Sequence, residues 1–201
     1  MSFQDTLVQI AMGELSRWTD GKFFECVSEP SASKKDGSKL VRDYWVEGLG
    51  IKNLNGCSKV AWSAAFICFC MRKAGMPLTE FQFNPGHHAY IRASINNTKQ
   101  NKPGKAYYGR RITEYKPKPG DMIAQWRKAK SGAPDPEITF DKQPDDFYPS
   151  HCDIVVRVSD TEIVTVGGNV GNRVKATVFP ASNGFLLPKK ELICVLECRK
   201  V

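Results

Sequence analysis

The chain opens on apolar positions at helical spacing. Phe3, Leu7, Ile10, Ala11, Leu15 and Trp18 recur every three or four residues, with Glu14 among them. That period marks one face of an amphipathic helix packed on a core. Residues 28–39 (SEPSASKKDGSK) are polar and turn-rich and read as a loop. Leu40 to Leu49 is a candidate second helix, and 53–58 (NLNGCS) is a turn with capping residues. Lys59 to Ala74 is apolar on nearly every face, carries Arg72 and Lys73 in its last turn and stops at Gly75. Basic residues and then glycine are helix stop signals, and a helix apolar all round is buried. Residues 84–96 (NPGHHAYIRASIN) predict a turn into another short helix, and 97–110 a basic loop.

From Pro117 the pattern changes. Pro119-Gly120-Asp121 is a turn, and Met122 to Trp126 is a candidate strand. Residues 128–149 hold four of the twelve prolines and several acids. They read as a long loop or lid insertion. Short Val/Ile-rich strands follow: Cys152–Val158, Glu162–Val166, Arg173–Phe179 and Leu192–Cys198. Helices first and strands second predict an α+β fold with a segregated sheet. The length of 201 residues fits one domain spanning 1–201, and no internal repeat is present.

Composition narrows the function classes. With 41% apolar and 25% charged residues, the chain is not intrinsically disordered. No apolar run of 18 exists, so no membrane insertion is expected. The N-terminus has no basic n-region, so a protein synthesised in the cytoplasm without a signal peptide is expected. The net charge is +8, yet Lys and Arg are dispersed over 34–42, 99–118, 127–130 and 189–200. No compact basic run or nucleic-acid motif occurs, so nucleic acid is not an expected partner. None of the seven cysteines has C-x-x-C spacing, and no metal or other cofactor is expected. Cys68 and Cys70 read as small core hydrophobes, and a chain of this length does not need a disulfide framework.

Three local features then stand in a suggestive order. Ser63 lies near the start of the buried helix, His151 opens a strand, and Gly167-Gly168-Asn169 ends the next one. A nucleophile at a helix N-terminus gains from the dipole and from N–H groups that hold an oxyanion. A neighbouring His removes its proton, and a polar residue such as Asn169 orients the imidazole. Trp62, His88 and Asp153 are candidate substrate contacts. Plainer readings stand beside these. Ser63 is a small packing residue, His151 a surface residue, and Asn169 a turn residue that tolerates positive φ. Trp62 is core, and His87-His88, which could ligate a metal or contact substrate, is a solvent-exposed pair.

Residues 62–76 (WSAAFICFCMRKAGM) resemble the nucleophile helix of the NlpC-type and CHAP-type papain-like cell-wall peptidases. Pro119-Gly120-Asp121-Met122 resembles that superfamily's turn into its first core strand. His151 before Ile154-Val155-Val156 resembles its catalytic histidine, and Gly168-Asn169 its third polar residue. The ordered motifs cover roughly residues 58–175. The W-S-A-A-F variant resembles most a bacterial branch that includes candidate wall-degrading effectors. The resemblance implies a papain-like fold, with N-terminal helices on an antiparallel sheet. It also implies a monomeric amidase or endopeptidase without cofactor. Its substrate would be peptidoglycan, cut in the stem peptide or at the sugar–peptide junction. Ser63 would attack, His151 would act as base and Asn169 would orient it. Such a protein would be an antibacterial toxin, of the type VI secretion effector kind, or a phage lysin. It would be exported by dedicated secretion machinery to the periplasm of a target cell, and its producer would need an immunity protein. The superfamily's nucleophile is Cys, however, where this chain has Ser63. A genuine serine nucleophile, an engineered silencing change and an inactive wall- or glycan-binding module all remain open. Cys57, six residues earlier, is an alternative nucleophile.

Overall fold

The computed structural model describes residues 1–129 and 137–200. Helix α1 spans Phe3–Asp20 and starts at a reciprocal cap between Ser2 and Asp5. That cap satisfies two of the amides a helix start leaves open. The helix buries Phe3, Leu7, Ala11 and Trp18, the stripe its spacing predicts. Strand β1 (Phe23–Phe24), just before the expected loop, pairs in parallel with β2 (Lys35–Asp36) inside it. Helix α2 spans Ser38–Leu49 and ends at Gly50 with φ 74°. A 3-10 turn at Gly56–Ser58 leads towards α3, Ser63–Lys73. Gly48 lets α2 and α3 approach closely, since a Cβ there would lie 2.7 Å from the Phe69 amide nitrogen.

Helix α3 begins four residues later than its apolar pattern suggests. Lys59 sits in the left-handed region at φ 55°, which helical backbone cannot adopt. The chain there is also tethered by a disulfide between Cys26 and Cys57. The sequence left a disulfide possible without suggesting one, and this bridge supplies it. Within α3, every residue from Ser63 to Met71 is buried. Helix α4 spans His87–Lys99.

The remaining strands are β3 (Tyr107–Arg110), β4 (Met122–Trp126), β5 (Ser150–Val158), β6 (Glu162–Gly167), β7 (Lys175–Ser182), β8 (Phe185–Leu186) and β9 (Leu192–Cys198). They form one antiparallel sheet in the order β3-β9-β4-β5-β6-β7-β8. The fold is therefore α+β, with the long helices preceding the sheet. Strand β3 falls where the sequence predicts a basic loop. It is an edge strand held by β9, with Tyr107 opposite Cys198. Only part of the expected 128–149 insertion is described, because 130–136 lie outside the described residues. The described part has no helix or strand before β5.

Core residues line both faces of the sheet. Met122, Ala124, Cys152, Ile154 and Leu196 join the helices in the larger cluster. Ile123, Val155, Ile163 and Val195 form a smaller cluster. Helices α1, α3 and α4 all pack against β5, which brings the starts of α3 and α4 to that strand. No described helix is long and apolar enough to cross a membrane.

Candidate active site

Ser63 is the first residue of α3, and the preceding Trp62 makes no side-chain cap. The amides of that first turn present the positive end of the helix dipole. Ser63 Oγ lies 2.6 Å from Nε2 of His87. His87 is the first residue of α4, and its Nδ1 hydrogen-bonds the hydroxyl of Tyr90 one turn later. With its proton on Nδ1, the ring offers a lone pair at Nε2 to the Ser63 hydroxyl. Burial, then the neighbouring His151 and Arg127, hold His87 well below the usual imidazole range. Burial holds the Tyr90 phenol well above its own range, so it keeps its proton. A neutral histidine thus faces a serine hydroxyl, and in the tautomer with its proton on Nδ1 it can act as a general base.

A second pair stands alongside. His151 and Asp153 are two residues apart on β5, so they share a strand face. His151 Nε2 lies 2.7 Å from Asp153 Oδ1. The Thr165 hydroxyl reaches the other carboxylate oxygen at 3.5 Å. Gly167 at the end of β6 makes room for this pair. A Cβ there would lie 1.6 Å from Asp153 Oδ1 and 3.2 Å from His151 Nε2. The ring centres of His87 and His151 are 5.2 Å apart. Ser63, His87 and His151 are 8%, 4% and 6% exposed, so the cluster is nearly closed to solvent.

Residues 29–199 match the family model described as "Uncharacterized protein conserved in bacteria (DUF2272)". The chain belongs to the DUF2272 family. No curated protein and no solved structure matches it. Ser63, His87, Tyr90, His151 and Asp153 all lie inside the DUF2272 span, whereas α1 precedes it.

The other residues singled out from the sequence of this DUF2272 chain take different places. Cys57 is not a thiol nucleophile, because its sulfur is bonded to Cys26 and forms no thiolate. Cys26, Cys57 and Asp36 cluster, but the same bond leaves no thiolate ligand for a metal. Trp62 is fully buried, stacked on Trp18 at 5.3 Å and Tyr44 at 5.7 Å. Its indole N–H donates to Glu25, so it is core and offers no face to a sugar. Asn169 is a turn residue with φ 58°, and Asp153 takes the place beside His151 that the sequence assigned to it. Asp153 is itself buried and bonded to His151, not presented to a substrate. His88 is half-buried, edge-on to Phe147 and Tyr148, and lines a separate groove.

Tyr90 and Gly167 were not assigned site roles from the sequence, and His87, read as exposed beside His88, is buried against Ser63. The available signals were short. His151-x-Asp153 has the period of a shared strand face, and His87 follows an Asn-Pro-Gly turn at a helix start. Asp121, in the Pro119-Gly120-Asp121 turn, accepts from the amides of Lys118 and Cys198 at 2.8 and 2.7 Å. It ties that turn to the last strand and lies apart from the chemistry.

Proposed function

We propose that this chain is a serine-dependent amide hydrolase of papain-like architecture that cuts peptidoglycan, in the stem peptide or at the sugar–peptide junction. One observation carries this reading: the 2.6 Å contact between Ser63 Oγ and a neutral His87, made at an uncapped helix start. Ser63 attacks the carbonyl carbon as its proton passes to His87 Nε2. The developing oxyanion sits against first-turn amides of α3. His87 then gives the proton to the leaving amine, and water repeats the sequence on the acyl-enzyme. The His151–Asp153 pair stands beside His87, and His151 adds to the burial that keeps His87 neutral before the attack. The order of nucleophile helix, Pro-Gly-Asp turn and strand-opening histidine supports the papain-like assignment. The charge of +8 suits an anionic wall polymer. In this reading the protein is an exported antibacterial effector, and its producer carries an immunity protein.

The experiment incubates purified peptidoglycan with wild type, Ser63→Ala, His87→Ala and His151→Ala, and identifies soluble fragments by mass spectrometry. Wild type releases fragments, and the Ser63 and His87 variants release none. Cleavage by Ser63→Ala equal to wild type overturns the assignment. A second reading, a wall-binding module with a silent site, draws on the near-complete burial of Ser63, His87 and His151. Wild type that cosediments with peptidoglycan but releases no fragment favours it.

A further inference from the structure

A groove of about 730 Å³ lies along α4, a volume in the range of ligand sites. His88, Arg92 and Asn96 follow one another at helical spacing along it, and Gln82 lies on the facing 78–84 segment. Three cations line it: Arg92, Lys102 and Lys105. Among the described residues the one lining carboxylate, Glu80, is neutralised by Lys200, whose Nζ lies 2.8 Å from both its oxygens. The groove therefore carries net positive charge. Arg92 uses Nη1 on the carbonyl oxygens of Pro144 and Asp145, and a guanidinium has further donors on its other nitrogens. Lys105 donates one hydrogen bond to the Thr79 carbonyl, and an ammonium has three donors. His88 Nδ1 is buried without a hydrogen-bond partner, which costs free energy unless a ligand or water supplies one.

We propose that this groove binds an acidic peptide segment, with carboxylates on Arg92, Lys102 and Lys105 and backbone amides on Gln82 and Asn96. The side-chain amides each donate and accept, as a peptide group needs. Cationic side chains with free donors form charge-assisted bonds to carboxylates. A fixed geometric link joins the groove to the Ser63 cluster. His87 and His88 are consecutive, one bonded to Ser63 and the other lining the groove. Just before them, the Asn84 carbonyl accepts from Cys68 of α3, and its side chain accepts from the Gly86 amide. The groove wall at His88 thus adjoins, in the chain, the histidine that bonds Ser63. This deepens the wall-hydrolase reading and rests on it for the link to cleavage, but the binding itself is separable.

The test uses the full chain carrying Ser63→Ala and two probes. One is N-acetyl-Ala-Glu-Ala with free carboxylates, and the other is the same peptide with Gln for Glu and an amidated C-terminus. Affinity is measured by titration, and the site is mapped by amide chemical shifts. The acidic peptide binds at least about tenfold more tightly than the neutral one, as expected for lost charge-assisted bonds. Shifts fall within 78–105. Lys102→Gln, on an exposed lysine, and Arg92→Gln each weaken binding several-fold, with thermal melting confirming that both remain folded. Equal affinity for the two peptides, shifts elsewhere, no binding at millimolar peptide, or tighter binding of a single-stranded oligonucleotide overturns the proposal. Acidic-peptide binding in the groove by a protein that cuts no peptidoglycan defeats the hydrolase reading alone. Peptidoglycan cleavage with a groove blind to carboxylates defeats the groove alone.

Discussion

Ser63 Oγ and His87 Nε2 meet at 2.6 Å although 24 residues separate them in the chain. Each opens a helix, so the contact joins two helix N-termini. A serine hydroxyl gains nucleophilicity only from such a base. Replacing His87 with Ala is therefore expected to lower kcat/KM on peptidoglycan fragments about 10²–10⁴-fold, the usual contribution of a general base. Steady-state kinetics checks this, and a loss under fivefold would remove His87 from the mechanism.

The same histidine sets a pH dependence. Burial holds its folded pKa well below 6.5, so the folded state takes up fewer protons than the unfolded chain. Its contribution to stability is whole above pH 6.5 and is lost as pH falls below it. The advantage of wild type over His87→Gln in urea unfolding should shrink from pH 7 towards pH 5. The neutral base also persists to lower pH, so kcat/KM should show no loss centred at 6.5. A drop centred there in the rate profile would contradict a depressed His87.

Asp121 titrates in the opposite sense. Burial raises its carboxyl to about 6, against the lowering pull of the amides of Cys198 and Lys118. The folded state then holds the proton more tightly than the unfolded chain between 3.8 and about 6. Its contribution to stability is full below 3.8 and is lost as pH rises through 6. Asp121→Asn has no such titration, so the stability of wild type relative to this variant should decline between pH 4 and 7. Denaturant curves at four pH values measure it, and a constant difference would refute the assignment.

The Cys26–Cys57 bridge closes a loop of 31 residues just before α3. A loop of that length corresponds to about 3–4 kcal/mol of restriction on the unfolded chain. Reduction or Cys26→Ser should lower unfolding stability by a comparable amount. The five free cysteines should label slowly in the folded protein, since burial pushes Cys68 up to about 12 and Cys198 up to about 11. Cys198, half-buried, should react first. Mass spectrometry after timed alkylation reads the order, and fast labelling of Cys57 would show that the bridge is absent.

Gly167 stands where any side chain would strike Asp153 Oδ1 at 1.6 Å. Gly167→Ala must displace the carboxylate or bend β6, at a cost of about 1–3 kcal/mol. Thermal melting should register that loss, and hydrolysis should fall with it. A variant as stable and active as wild type would mean that the His151–Asp153 pair is not held by this contact.

Much of the scaffold is local and was therefore readable. The apolar stripe of α1, the buried run of α3 and strand β9 at Leu192–Cys198 follow from periodicity and stop signals. Strand β3 was not readable, because Tyr107–Arg110 is held by pairing to β9, almost ninety residues away. The Cys26–Cys57 pairing is hidden for the same reason, since nothing local says which cysteines meet.

The residue order alone established an α+β chain with long helices before an antiparallel sheet, and it placed Ser63 at a buried helix and His151 at the opening of a strand. Those properties depend on side-chain period and short-range caps, which the sequence carries directly. Which groups touch was decided only by packing. The common docking of α3 and α4 on β5 brought Ser63 to His87 and left His151 to Asp153. Asn169 fell into a left-handed turn, and Trp62 was sealed beneath Trp18 and Tyr44. A hydrogen bond forms within about 3 Å, whereas a sequence pattern places an element but not its distance to another.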